Sequence, residues 1–303
     1  MSALICGSLA FDTITNFHGR FKEQILPEQI HILNVSFLVP TLRREFGGCA
    51  GNIAYTHKLL GGEPLVVAAL GADGQDYLDR LRSWGVATDY VRAVPHSYTA
   101  QAIIMTDADN NQITAFHPGA MQFAHETELQ RRDDVKLAII APDGREAMLS
   151  HAEQLAAAGI PFIFDPGQGL PMFNGEELRR FVSLATWVAV NDYEAKLLTE
   201  RTGQSLAELS SSHLQGVVVT LGAEGCEVWT QGRAERVPGI KATSVVDPTG
   251  CGDAFRGALL YGLERGWSLK RCAELGNRVG AIKIACNGPQ NHTLDRAALA
   301  LDD

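Results

Sequence analysis

Val246-Asp247-Pro248-Thr249-Gly250-Cys251-Gly252-Asp253 runs without a break into the apolar segment Ala254 to Leu263. Two glycines flank one small residue, an aspartate follows, and a helical pattern begins at once. Such a turn lets consecutive backbone N–H groups converge on one point at a helix N-terminus, where the dipole favours negative charge. An aspartate beside that cradle would repel a phosphate unless it takes a proton from an attacking hydroxyl while the cradle holds the transferred group. The same residues also make a capped helix after a glycine turn, since Asp caps well and Gly turns freely. The rest of the chain decides between the two readings.

A chain of 303 residues accommodates one large α/β domain or two smaller ones. It is 46% hydrophobic and 20% charged, enough apolar material for a sizeable core. The formal charge of −9 argues against a general nucleic-acid-binding surface. No run of about 18 apolar residues is present, so no spanning helix is expected, and Met1 to Gly7 does not read as a signal peptide. The six cysteines, at 6, 49, 226, 251, 272 and 286, form no Cys-x-x-Cys pair. That is a reduced, cytoplasmic pattern. The nine histidines show no His-x-x-x-His spacing, so a protein-ligated transition metal has no support.

From about residue 135 short β-branched runs alternate with helical stretches: Leu137 to Ile140, a helix from Arg145 to Ala158, then Pro161 to Phe164, Trp187 to Val190 and Gly216 to Thr220. This rhythm predicts an α/β fold, a mostly parallel sheet covered by helices on both faces. Ligands of such sheets bind beyond the carboxyl ends of the strands, where Asp165, Asn191 and Thr220 fall. Ala3 to Cys6 and Leu65 to Leu70 read as further buried strands, and Cys49 to Leu60 as a helix closed by Gly61-Gly62. Thr13 to Phe17, Ile30 to Pro40, Ala100 to Thr106 and Gln112 to Phe116 read as strands of a small sheet, the last two joined by the hairpin signal Asp107 to Asn111. Assembled from two insertions, about 13–40 and 97–118, that sheet is expected to be a lid on a single domain spanning 1–303. A lid that excludes water suits phosphoryl transfer.

Further segments carry candidate chemistry. Glu45-Phe46-Gly47-Gly48-Cys49-Ala50-Gly51-Asn52 opens a helix with small residues, as close approach of a ligand requires, or as tight packing does. Asp12, soon after the first strand, is placed to accept from two vicinal hydroxyls of a sugar, or simply to be solvated. Asn191-Asp192-Tyr193-Glu194 matches a capping box and equally a pair facing phosphates and Mg2+. Thr220-Leu221-Gly222-Ala223-Glu224-Gly225 reads as a hairpin loop or as a seat for nucleotide phosphates and ribose.

In this order the four pieces resemble the PfkB (ribokinase) family of sugar and nucleoside kinases over nearly the whole chain. The Gly47-Gly48…Asn52 segment is similar to its N-terminal signature, and Asp247 to Phe255 to its C-terminal one, with Pro248 in place of the usual Thr and Cys251 in place of the usual Ala. Asn191-x-x-Glu194 and Thr220-x-Gly222-x-x-Gly225 match two further motifs. The resemblance implies a ribokinase-like three-layer sandwich with a small β-sheet lid. It implies Asp253 as catalytic base and the N–H groups of Gly250, Cys251 and Gly252 as anion hole. It assigns the acceptor to Asp12, Gly47, Gly48, Asn52 and Gln101, and ATP to Asn191, Thr220, Gly222, Gly225 and Asn277. Glu194 would stand in the Mg2+ shell through water. A monovalent cation, K+, would lie on backbone carbonyls around Asp247, Thr249 and Cys286 to Gly288.

The acceptor is expected to be a nucleoside, as in kinases of the adenosine kinase type, which serve purine salvage. Phe37, Phe116, His117 and Met121 would suit a planar base, and Gln168 would read its edge. A ribokinase- or fructokinase-type sugar kinase is the alternative. A non-catalytic sensor would be expected to lose the base or the glycines, and all are present. The expected partners are thus small molecules, with no nucleic acid and no membrane, and the lid is the surface expected for a homodimer. Cys251, at a helix N-terminus, is expected to have a lowered thiol pKa and to be protected by ATP from thiol reagents.

Overall fold

The computed structural model describes residues 2–25, 34–109, 111–130, 132–299 and 301. Among these the first strands are β1 (Ser2–Cys6), β2 (Ala10–Asn16), β3 (Thr41–Gly47), β4 (Glu63–Gly71), β5 (Val91–Val94), β6 (Ala100–Thr106) and β7 (Gln112–His117). There follow β8 (Val135–Ile140), β9 (Phe162–Phe164), β10 (Trp187–Asn191), β11 (Gly216–Thr220), β12 (Gly225–Thr230) and β13 (Arg233–Pro238). Nine of them form one sheet in the order β13-β12-β11-β10-β9-β8-β1-β4-β5. It is parallel from β11 to β5, and β12 and β13 add an antiparallel edge.

Alternation along each strand feeds two cores. In β1, Ala3 and Ile5 face the helices Cys49–Leu59, Cys251–Glu264 and Leu269–Lys283, while Leu4 and Cys6 face Arg145–Ala157, Gly175–Leu184 and Asp192–Thr202. Each fully buried Val, Ile, Leu or Phe contributes roughly 1.5–3 kcal/mol, so the sheet is clamped from both sides. The result is the expected three-layer ribokinase-like sandwich. No helix among the described residues is long and apolar enough to cross a membrane, and all six cysteines are free thiols.

The second sheet has the order β3-β2-β6-β7. Its register sets Glu45, Asp12, Ala102 and Phe116 in one cross-strand row, and Phe46, Phe11, Gln101 and His117 in the next. Neighbouring rows face opposite sides of a sheet, so Asp12 and Phe116 share one face and Gln101 and His117 the other.

Three expectations need correction here. The strand placed at Ile30 to Pro40 begins only at Thr41: 30–33 lie outside the described residues, and 34–40 carry no strand. Pro40 has no N–H for the ladder and marks its edge. The strand expected from Thr13 to Phe17 runs instead over Ala10–Asn16, so Asp12, which does follow the first strand, lies inside β2. Phe37 packs on Phe17 and Phe21, with ring centroids 5.0 and 5.3 Å away, and so belongs to the sheet's own packing. In the hairpin signal Asp107 to Asn111, Asn110 lies outside the described residues.

Candidate active site

Two helices begin side by side at the carboxyl ends of the parallel strands. Gly48 precedes the first with φ 84°, and a Cβ there would meet Ala10 N and Ser8 O at 2.6 Å. Gly250 precedes the second with φ 77°, and a Cβ there would lie 2.6 Å from the Pro289 Cβ. Only glycine fits either position. The two N-termini are joined by a hydrogen bond from Asn52 Nδ2 to Asp253 Oδ2 at 2.8 Å.

That bond is the end of a relay. A carboxylate only accepts, so Asn52 turns its Oδ1 away, where it accepts from Gln290 Nε2 at 2.9 Å. The same Nε2 donates to the Tyr77 hydroxyl at 2.7 Å, which donates in turn to the Gly47 carbonyl at 2.7 Å. Arg80 fixes the other end of Gln290, donating to its backbone carbonyl at 3.0 Å. Asn52, Tyr77 and Gln290 are all buried, so each amide has one satisfied orientation.

Burial pushes the Asp253 carboxyl up to about 6; the Asn52 amide and the Arg256 guanidinium oppose this, and Asp165 adds to it. Asp12 is likewise pushed up to about 6, first by burial and then by Asp253, Glu45 and Asp247. Asp12 therefore belongs to the same group as Asp253, with Gly47 against its carboxylate. Arg256 lies one turn into the Cys251–Glu264 helix with its guanidinium turned back toward Gly252. It donates from Nη2 to Asp165 Oδ1 at 3.1 Å, and both side chains are 5% exposed.

Beyond the cradle opens a cavity of about 620 Å3. Thr220, Gly222, Gly225 and Asn277 line it together with Cys251 and Gly252. Asn191 pairs with Thr220 across β10 and β11. The hairpin and capping-box readings are both borne out by the fold. Thr220 to Gly225 does join antiparallel β11 and β12. Asn191 and Glu194 form a reciprocal cap, with Asn191 N on Glu194 Oε2 at 2.8 Å and Glu194 N on Asn191 Oδ1 at 2.7 Å. Burial and the neighbouring Asp165 raise the Glu194 carboxyl. Asn277 spends its amide on the carbonyls of Val237 and Pro238, at 3.3 and 3.1 Å, so it shapes the wall.

Of the acceptor candidates, Asp12, Gly47, Gly48 and Asn52 are brought together, and Phe116 stands on the Asp12 face, 54% exposed. Gln101 is not: its amide donates to Thr13 Oγ1 on the opposite face, as strand alternation requires. Gln168 is exposed on the turn after β9. Cys251 also departs from expectation. Burial raises its thiol, the carboxylates of Asp247 and Asp253 add to that, and Lys283 only opposes it.

The monovalent-cation site requires the largest correction. Lys283 Nζ donates to the Asp247 carbonyl at 2.7 Å and the Cys286 carbonyl at 3.4 Å, with the residue fully buried. An ammonium group thus stands on carbonyls expected to hold K+, and a free cation there would meet both its volume and its charge. Thr249 contributes through its N–H, which donates to Asp247 Oδ1 at 2.9 Å.

Arg256, Tyr77, Lys283 and Gln290 were not read from the sequence. Arg256 and Lys283 left a signal, each a lone charge inside an apolar helical run, which buries only when paired. Tyr77 and Gln290 left none.

Residues 10–296 match the model of the pfkB family of carbohydrate kinases. A Burkholderia thailandensis nucleoside kinase, solved in complex with inosine, is 53% identical, with 98% of this chain and 95% of that one covered and a TM-score of 0.87. The Methanocaldococcus jannaschii nucleoside kinase structure, at 26% identity and TM-score 0.88, covers 98% of this chain and 96% of its own. Mouse ribokinase is 27% identical over 268 residues, 81% of this chain and 80% of that protein.

Proposed function

The chain belongs to the pfkB family of carbohydrate kinases, and on that premise we propose that it transfers the γ-phosphoryl group of ATP to the 5′-hydroxyl of a nucleoside, as enzymes of the adenosine kinase type do. The observation that carries the choice of acceptor is the similarity, 53% over nearly the whole chain, to a nucleoside kinase solved with inosine. Phe116, exposed on the face that carries Asp12, supports it as a surface on which a planar base can stack.

In this reading Asp12 accepts from the ribose hydroxyls and Asn52 helps to orient them. Asp253 takes the proton of the 5′-hydroxyl as its oxygen attacks the γ-phosphorus. The bond to the β-phosphate oxygen breaks, and ADP leaves with the electron pair. The N–H groups of Gly250 and Gly252 hold the phosphoryl oxygens, where positioning and charge stabilisation account for most of the catalysis; the Cys251 N–H, expected to join them, instead donates to the Pro248 carbonyl at 3.1 Å and fixes the turn. A carboxyl near 6 is half ionised at pH 6 and mostly ionised at neutral pH, as a general base needs. The triphosphate lies in the cavity lined by Thr220, Gly222 and Gly225.

Among the described residues no group of three His, Cys, Asp or Glu could hold a metal directly. Magnesium normally arrives on phosphates and keeps its waters. Asp165 and Glu194 repel each other, which suits a divalent ion held through water beside Glu194. When bound it would neutralise phosphate charge. A cytoplasmic setting is in keeping with six free thiols.

The test is an acceptor panel of adenosine, inosine, guanosine, ribose and fructose with Mg-ATP, read by ADP release. A nucleoside should give much the highest kcat/KM. Ribose or fructose turned over as well as any nucleoside would transfer the assignment to the sugar kinases. Asp253→Asn, which keeps shape and capping ability, should lower kcat by about 10²–10⁴-fold with little change in KM.

A further inference from the structure

We propose that Lys283 is a built-in replacement for a monovalent cation, so that the phosphoryl-binding turn is assembled without any alkali ion. Lys283 sits in the last turn of the Leu269–Lys283 helix, and its ammonium group reaches the carbonyls of Asp247 and Cys286. Those carbonyls belong to the two segments that build the turn. The Asp247 carboxylate ties them together, accepting from Thr249 N and from Gly288 N, both at 2.9 Å. One residue on, the Pro248 carbonyl accepts from Cys251 N at 3.1 Å, at the start of the helix that carries the cradle.

The chemistry of the place is that of an alkali-ion site. Backbone carbonyl oxygens replace the hydration shell of a monovalent ion, and an ammonium with three donors is a compact monovalent charge served by the same oxygens. A buried lysine is costly unless its charge is matched. Here the carbonyls and the nearby Asp247 carboxylate match it, and the charge reaches Cys251, in the turn between Gly250 and Gly252. Lys283 therefore supplies from the chain the positive charge that a bound ion would supply beneath the turn, and by occupying the oxygens it shuts the ion out.

The activity arm of the test rests on the phosphoryl-transfer reading above; the binding arm does not. Wild-type protein is assayed in choline chloride and in KCl at equal ionic strength, and its melting temperature is followed through the same exchange. Rate and melting temperature should be the same in both. Lys283→Ala removes the charge and opens the space. In choline chloride its kcat should fall on the order of 10²-fold, the scale of an oxyanion-hole defect, and K+ should restore much of it and raise its melting temperature. Lys283→Met removes the charge but fills the space, so K+ should rescue neither.

A wild-type enzyme activated several-fold by K+ over choline would overturn the proposal. So would a Lys283→Ala protein that loses no rate and is not stabilised by K+. If neither variant folds, the wild-type exchange decides alone. If no acceptor is phosphorylated, the functional reading fails, and selective stabilisation of Lys283→Ala by K+ still tests this one.

Discussion

Replacing Gln290 by Met should move the acid limb of the pH–rate profile upward without touching the substrate cavity. In the native protein Gln290 Nε2 holds Asn52 Oδ1, which keeps Asn52 Nδ2 on Asp253 at 2.8 Å. Methionine fills the space and offers no donor, so the Asn52 amide is free to turn away. A hydrogen bond to a charged group contributes about 1.5–3 kcal/mol, and one pKa unit corresponds to about 1.4 kcal/mol. Complete loss would therefore raise the Asp253 carboxyl by about one to two units. Gln290 biases Asn52 and does not replace it, so about one unit is expected. Asp253 acts ionised, and its carboxyl lies at about 6 in the native protein. At pH 6 the ionised fraction should fall from about one half to about one tenth, while at pH 8.5 the two enzymes converge.

The assay is kcat/KM for the acceptor against pH at saturating ATP, with melting temperature as a control for folding. Asp165, Arg256, Cys49, Asp12 and Tyr77 also act on the Asp253 carboxyl or feel its charge, and all are left in place by the substitution. Asp12 titrates near 6 as well, but Gln290 has no bond to it. A folded Gln290→Met enzyme whose acid limb coincides with that of the wild type would refute the relay as a determinant of the base. The limb would then belong to Asp12 or to a step other than proton transfer.

Two stability predictions follow from buried charge. Arg256→Met strands the Asp165 carboxylate and should cost about 3–5 kcal/mol in urea unfolding, with most of it recovered in the double variant Arg256→Met/Asp165→Asn; no recovery would mean that the pair is not the cause. Burial pushes the Asp143 carboxyl up to about 8, and among the described residues its Oδ2 has no hydrogen-bond partner. Its folded pKa thus exceeds the unfolded value, so it penalises stability increasingly as pH rises from about 4 to about 8. Asp143→Asn should raise the melting temperature more at pH 8 than at pH 4, and an equal gain at both would remove ionisation as the reason.

The layers were legible because both signals are local. Strands such as Gly216–Thr220 and Trp187–Asn191 are short apolar runs built on valine, and each of the two helix starts carries its glycines in one short stretch. The relay was not legible, since Gln290 meets Asn52 across 238 positions of sequence and Tyr77 across 213. No spacing rule links residues that only the fold makes neighbours. Lys283 gave two opposed signals: its apolar neighbours point to burial, while a lysine in the last turn of a helix is also what the helix dipole favours at a solvated end, and the fold decides for burial. Gln101, assigned through the resemblance alone, lies one position along its strand from Ala102, the partner of Asp12, and in a strand one position reverses the face.

The antiparallel margin of the large sheet has a further consequence, for solubility. An open strand edge is a template for pairing with another chain. Here the terminal strand, Arg233–Pro238, carries Arg233, Glu235 and Arg236 and ends in proline. Lys270 pairs with Glu235 and Arg236 with Glu224, so the charges are held along the strand. At the other margin, Val91–Val94 is only four residues long. Both ends of a nine-stranded sheet are thereby made poor partners for self-association, one by charge and one by brevity.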